Sequence, residues 1–186
     1  MGIKSVNIRV KGINRRLLMP SSKVGIFESF LLENIGNEVI VVNTNIGMEV
    51  YYYSEENYSD FIKETILLYT INRVDTNKLI FRNNLSWEEV YHSFCEALMT
   101  FAQYPQLFLA YTKKFIRIKE QHESSRYIIP VLNGFFEEVL AFLSENGNMP
   151  HNDKITAARS KLQKTDPDKK ILADLISEIL SKKHSN

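Results

Sequence analysis

The spacing of apolar residues divides this chain near Asn83 into a mixed first part and a second part that is helical throughout. Residues 6–10 alternate apolar and polar side chains, the period of a half-buried β-strand. Apolar residues then recur at helical spacing from 24 to 35, and Gly36 is placed to end that helix. The runs 39–42 and 48–53 flank a turn containing Asn and Gly, which predicts a β-hairpin.

Helices follow one another from Ser59 onward. The first is predicted to reach about residue 74 and to be buried by neighbours on several sides, because it is apolar almost all round. Ser86 and Glu89 form a capping box at the start of the next, and Pro105 opens the one after it. A long helix is expected from about 126 to 146, ending at Gly147, and a short amphipathic helix around Ile155, Ala158 and Leu162.

The last predicted helix opens at Pro167 and carries a narrow apolar stripe from Ile171 to Leu180. Such a stripe needs a partner inside the bundle or on a second subunit, so we expect a homodimer. The fold class is therefore mainly α, with a helical bundle from about residue 85 onward. We expect two domains, a basic N-terminal part over 1–57 and a helical bundle over 58–186.

Composition excludes several classes of protein. With 186 residues, 44% hydrophobic and 24% charged, the sequence is that of a globular chain. No stretch resembles a secretory signal or reaches the length of a membrane span. The single cysteine, Cys95, excludes an intrachain disulfide and fits a reducing compartment, so we expect a cytoplasmic protein without membrane contact.

The net charge of +1 conceals a basic block at the N-terminus. The first 27 residues contain no acid, and such a block is typical of a segment that meets phosphate. The alternative is a flexible basic tail that keeps the protein soluble. The six basic residues are Lys4, Arg9, Lys11, Arg15, Arg16 and Lys23.

No set of residues predicts catalysis, a metal site or a cofactor. Glu89 and His92 match half of the Glu-x-x-His pattern of carboxylate-bridged metal bundles, but no second such motif exists. His92 and Cys95 lie one helical turn apart with no group to orient them, so we interpret Cys95 as a partly buried thiol. Gly134 falls within a helical pattern, where it permits a close approach, a ligand, a kink or a break.

Large side chains in the helical part suggest an apolar ligand pocket, and the alternative is an aromatic core. If they line a pocket, its walls are Trp87, Tyr91, Phe94, Cys95, Leu98, Tyr111, Phe115 and Phe135.

Two regions resemble the TetR family of transcriptional repressors. Residues 85–98 and 104–108 resemble the opening of the family's ligand-binding domain, and 139–147 is similar to its penultimate bundle helix. Residues 46–53, followed by Asp60 and Phe61, resemble the recognition-helix signature. The N-terminal part is then either a degenerate helix-turn-helix or an α+β piece with a hairpin.

The resemblance implies a regulator that binds DNA through its N-terminal part and a small apolar effector in its dimerising bundle. The DNA-binding residues would be the six basic residues together with Tyr51, Tyr52 and Tyr53. The alternative is a non-enzymatic regulator of the antirepressor or immunity type, which binds another protein and no DNA. The absence of a complete recognition helix motivates that alternative.

Overall fold

A computed structural model describes residues 2–11, 17–69 and 79–160 of the chain. These residues form a four-stranded sheet with helices on both faces. In chain order the elements are β1 Gly2–Val10, α1 Ser21–Ile35, β2 Glu38–Asn43, β3 Met48–Ser54, α2 Ser59–Tyr69, β4 Leu79–Asn84, α3 Trp87–Ala102, α4 Pro105–Gln121 and α5 Ile128–Glu145. A sixth helix, α6, occupies 152–160 as far as the chain is described.

The sheet is antiparallel throughout, with the strand order β2-β3-β1-β4. With one helix after β1 and another after β3, this is the β-α-β-β-α-β arrangement of a split β-α-β unit. The predicted hairpin is confirmed as β2 and β3, closed by a hydrogen bond from Thr44 N to Gly47 O of 2.9 Å. A Cβ at position 47 would lie 2.5 Å from Ile8 O, so the turn passes too close to β1 for any residue but glycine.

Both faces of the sheet are covered, and each face has its own core. Val50 and Tyr52 of β3 belong to the core under α1 and α2, together with Phe27 and Ile62. Tyr51, on the opposite face, belongs to the core under α3, α4 and α5. Because side chains alternate across a strand, this double burial explains the continuous apolar runs at 39–42 in β2 and 50–53 in β3.

The observed fold is mainly α with an α+β N-terminal piece, and the helical part does begin near residue 85. The boundary predicted at residue 57 does not match the sheet, because β4 lies beyond it and pairs with β1 from Ser5 to Val10. Since α2 also lies beyond residue 57 and covers the same sheet, the α+β part extends to Asn84.

The predicted helix signals are confirmed at Ser86, where the capping box is complete, and at Gly36 and Pro105. The expectation that neighbours bury α2 on several sides is wrong, since its buried residues lie on one side and Leu68 is 78% exposed. Residues 70–74 lie outside the described chain. The helix α5 runs through Gly134 without a break, and a Cβ there would meet nothing within 4 Å, so no close approach explains this glycine.

The helix predicted from Pro167, with its stripe from Ile171 to Leu180, lies outside the described residues. Within the described ranges, none of the helices combines the length and the apolar character that a bilayer crossing requires.

Candidate functional site

Residues 46–53 form a turn and a strand instead of a recognition helix. Tyr51 and Tyr52 are 1% and 0% exposed on opposite faces of the sheet, so neither is available to a DNA backbone. Tyr53 is half-buried and stacks on Tyr127, with ring centroids 4.2 Å apart. The positions of these three tyrosines therefore do not support the predicted contact with DNA.

Two of the described basic residues, Lys4 and Arg9, lie on different faces of β1. Lys4 donates through Nζ to the backbone oxygens of Ser54 and Glu55, the latter at 2.9 Å, and so holds the end of β3. Arg9 lies on the opposite face of β1, about 17 Å farther along the strand. Lys11 and Lys23 are exposed, and Arg15 and Arg16 lie outside the described residues.

Most residues of the predicted effector pocket form a packed core. Phe94 contacts Phe115 and Phe135, with ring centroids 5.7 Å and 6.0 Å apart, and Leu98 is fully buried beside them. Trp87 is 49% exposed and stacks on Tyr91. The aromatic-core interpretation therefore fits Phe94, Leu98, Phe115 and Phe135. Tyr91 and Cys95 line one cavity, and Tyr111 lines another.

Tyr91 and Cys95 line a groove between α3 and α5, which we call the α3/α5 groove. Its volume is about 540 Å³ and half-exposed Phe142 forms part of its apolar wall. The Tyr91 hydroxyl donates to Glu138 Oε1 at 2.6 Å. The groove is lined by Tyr91, Cys95, Met99, Glu138, Val139, Ala141, Phe142 and Glu145.

Tyr111 lies at a second cavity, which we call the hairpin-tip pocket. This pocket has a volume of about 250 Å³ and lies between the β2–β3 turn, the start of α1 and α4. It is lined by Leu17, Ser21, Asn43, Thr44, Asn45, Ile46, Leu107, Ala110, Tyr111 and Lys114. Sequence reasoning missed it, since its polar residues are scattered over three elements.

Behind this pocket lies a buried carboxylate. Glu49 Oε2 accepts hydrogen bonds from the hydroxyls of Tyr111 at 2.9 Å and Tyr51 at 3.1 Å. Burial raises the pKa of Glu49, while the two tyrosines and the charge of Arg9 oppose that rise. Burial, followed by the neighbouring Glu49, keeps the pKa of Tyr111 well above its usual value, so the phenol remains a donor.

A third polar cluster joins α1, β2 and the loop between α4 and α5. Glu38 accepts from the backbone amides of Tyr127 and Ile128 and from Ser125 Oγ, and so caps α5. His122 Nε2 lies 2.8 Å from Glu28 Oε1, and its Nδ1 lies 3.1 Å from Ile118 O. Both ring nitrogens thus face acceptors, and the hydrogen bond with Glu28, opposed by burial, raises the pKa of His122, which favours the imidazolium.

The structure agrees with the interpretation of Cys95 as a partly buried thiol. The thiol is partly buried, and burial, with the nearby Glu138, raises the pKa of Cys95 to about 11. A thiol of this pKa is almost wholly protonated at neutral pH and is a poor nucleophile. In the described part of the chain, no three His, Cys, Asp or Glu side chains are grouped to hold a metal ion.

Comparison with protein-family models, curated proteins and solved structures gives no match for this chain. The TetR resemblance therefore has no support from a matched relative.

Proposed function

We propose that this protein is a non-enzymatic regulator that binds a basic amphipathic helix of another protein in the α3/α5 groove. The observation that carries the proposal is the groove itself, an apolar channel with a half-exposed phenylalanine and an acidic border. Helix-in-groove recognition uses an apolar face with anchors at helical spacing.

The shape of the groove suits a helix. Its α3 wall consists of Tyr91, Cys95 and Met99, spaced four residues apart, which places them on one stripe along about 12 Å of the helix. The opposite wall is formed by α5, which packs against α3. A partner helix lying between them would bury two or three apolar anchors over about two turns.

The charge of the groove selects the kind of helix. Glu138 and Glu145 line it two turns apart, and no basic side chain is among its lining residues. An apolar helix flanked by Lys or Arg would place opposite charges beside these carboxylates, whereas an acidic helix would be repelled. The partner is therefore expected to carry bases beside its apolar face.

The hairpin over residues 38–54 favours this proposal over a DNA-binding regulator. A regulator of the TetR type would require a recognition helix where β3 lies, and its basic residues would have to meet one DNA surface. The DNA-binding alternative makes its own prediction, which is tight duplex binding that weakens steeply between about 50 and about 200 mM salt. We expect no such binding.

A direct test uses the full chain and a designed fluorescent peptide, about 20 residues long, with Leu at helical spacing flanked by Lys. We expect saturable binding by fluorescence anisotropy, and at least tenfold weaker binding of a peptide with Glu in place of Lys. Phe142→Ser should abolish binding, while Leu68→Ser, at an exposed leucine on α2, should leave it unchanged.

Three outcomes would overturn the proposal. The first is absence of binding at about 100 µM peptide, which corresponds to a free energy too weak for a specific partner. The second is equal loss of binding in both serine variants. The third is a homodimer, detected by analytical ultracentrifugation, that Phe142→Ser dissociates, because the groove would then be occupied by a second copy.

A further inference from the structure

We propose that residues 167–183 of the same molecule occupy the α3/α5 groove, and that a partner helix has to displace them in order to bind. Because it assigns a competing occupant to the same groove, this inference rests on the proposed function. The segment weakens the binding of the partner and so regulates it.

The segment has the apolar face that the groove requires. Pro167 opens a predicted helix whose apolar residues fall in adjacent pairs four residues apart, from Ile171 to Leu180. At about 1.5 Å per residue this stripe is about 14 Å long, close to the length of about 12 Å from Tyr91 to Met99 on the α3 wall. The stripe needs an apolar partner, and the wall with half-exposed Phe142 offers one.

The charges of the segment complement those of the groove. Pairs of lysines stand before and after the stripe, at 169–170 and 182–183. The two acids within the segment's apolar region, Asp174 and Glu178, fall more than about 100° around the predicted helix from the middle of the stripe. The groove is bordered by glutamates, with no basic side chain among the described residues that line it. The segment is therefore a basic amphipathic helix of the kind that the groove selects.

The described part of the chain leads to this groove. The last helix, α6, reaches residue 160, and Arg159 donates to Glu137 on α5, the neighbour in sequence of the groove residue Glu138. Residues 161–170 then connect α6 to the stripe, and about ten residues of extended chain span about 30 Å. The α5 wall of the groove is only about 10 Å long, so this connection reaches either end of it.

The tether makes even a weak contact effective. A short connection of this kind holds the segment near the groove at an effective concentration of about 1 mM. A segment that binds with a Kd of about 100 µM then fills the groove in about nine molecules out of ten. It weakens the binding of a competing partner about tenfold.

The test uses the full-length protein and the designed peptide with Leu at helical spacing flanked by Lys. Leu175→Ser/Ile179→Ser makes the middle of the stripe polar. We expect this variant to bind the designed peptide about tenfold more tightly than the wild type does, by fluorescence anisotropy. The matched control is Ser177→Asn/Ser181→Asn, on the far side of the predicted helix, and it should bind as the wild type does.

Two further measurements report on the segment itself. The backbone NMR signals of Cys95 and Met99 should differ between the wild type and the variant with a polar stripe, because the groove is then empty. A synthetic peptide of residues 167–186, added to that variant, should restore the wild-type signals with a Kd of about 100 µM. Lys182→Glu/Lys183→Glu in the full chain keeps the stripe and should also tighten the binding of the designed peptide, because like charges then face each other in the groove.

The outcomes separate this inference from the proposed function. Designed peptide that binds the wild type and the variant with a polar stripe equally well would overturn the inference and leave the helix-binding groove standing. Absence of binding to both proteins would overturn the groove and its occupant together. A dimer, detected by analytical ultracentrifugation, that Leu175→Ser/Ile179→Ser dissociates would show that the segment fills the groove of a second copy, which contradicts occupation within one molecule.

Discussion

The hydroxyl of Tyr111 on α4 lies 2.9 Å from the carboxylate of Glu49 on β3, and both side chains are almost completely buried. This contact joins a helix of the bundle to the middle of the sheet. It also brings an acid into a core, where a charge is costly unless donors surround it. Tyr111 also lines the hairpin-tip pocket. The buried Glu49 carboxylate therefore lies directly behind one wall of that pocket.

We predict that Tyr111→Phe destabilises the protein more at high pH than at low pH. The lost hydrogen bond is worth about 1 kcal/mol to a protonated carboxyl and about 2 kcal/mol to a carboxylate. The free energy of unfolding, measured by urea denaturation at about pH 5 and about pH 8, should show this difference. Tyr104→Phe, at a 60% exposed tyrosine, should change stability by less than about 0.5 kcal/mol at either pH.

We predict that Glu49→Gln flattens the dependence of stability on pH. The folded-state pKa of Glu49 is raised, so the folded protein keeps this proton where the unfolded chain has lost it. The resulting stabilisation is fully present below about pH 4.5 and is lost as pH rises through the folded pKa. Urea denaturation between pH 4.5 and pH 8 should therefore show a smaller decrease of the free energy of unfolding with pH in the variant than in the wild type. An unchanged slope would contradict the assignment.

Glu38 is expected to be the side chain on which the start of α5 depends. Its burial alone would raise its pKa, but the hydrogen bonds from Ile128, Arg126, Ser125 and Tyr127 together lower it. Glu38→Ala should therefore cost about 2 kcal/mol at pH 7, as expected for losing a charged cap at a helix N-terminus. The cost should shrink as pH falls from about 4.5 through the lower pKa of the folded state, below which the carboxyl is neutral in both states. Glu33→Ala, at an exposed acid on α1, is the matched control.

Much of the fold could be predicted because local signals agreed with the final structure. The hairpin has β-branched and aromatic runs on either side of Gly47, and α3 starts at a complete capping box. The strand β4 was missed because Leu79–Asn84 is short and polar in its second half. Its pairing with β1, about 75 residues earlier in the chain, decides its conformation, and that pairing leaves no local pattern.

The site was harder to predict for a related reason. A glutamate between Met48 and Val50 normally indicates the solvent face of a strand, but here both faces of β3 are covered by helices. The donors to Glu49 come from Tyr51 and from Tyr111, the latter 62 residues away.

The contact between His122 and Glu28 is expected to make stability depend on pH above about 6.5. The hydrogen bond to Glu28 is the main cause of the raised pKa of His122, and burial opposes it. The stabilisation is thus fully present below about pH 6.5 and is lost as pH rises through the folded pKa. NMR titration should give a pKa of His122 above 6.5, and Glu28→Gln should lower it. A value at or below 6.5 would show that the contact does not stabilise the imidazolium in solution.

Replacement of two glycines by alanine should change stability in opposite directions. Gly134 lies inside α5 on its exposed side, and a Cβ there would meet nothing within 4 Å. Gly134→Ala should therefore stabilise the protein by about 1 kcal/mol, because alanine loses less backbone freedom on folding. Gly36 ends α1 with φ of +78°, where alanine is strained, so Gly36→Ala should cost about 1 kcal/mol.

Urea unfolding of both glycine variants should shift the midpoint without changing the m-value, upward for Gly134→Ala and downward for Gly36→Ala. Loss of stability in Gly134→Ala would mean that something contacts this face of α5 in solution, such as a second copy of the chain. Both variants make the same change from glycine to alanine. Gly134→Ala tests an exposed helix surface, whereas Gly36→Ala tests a backbone turn that only glycine adopts without strain.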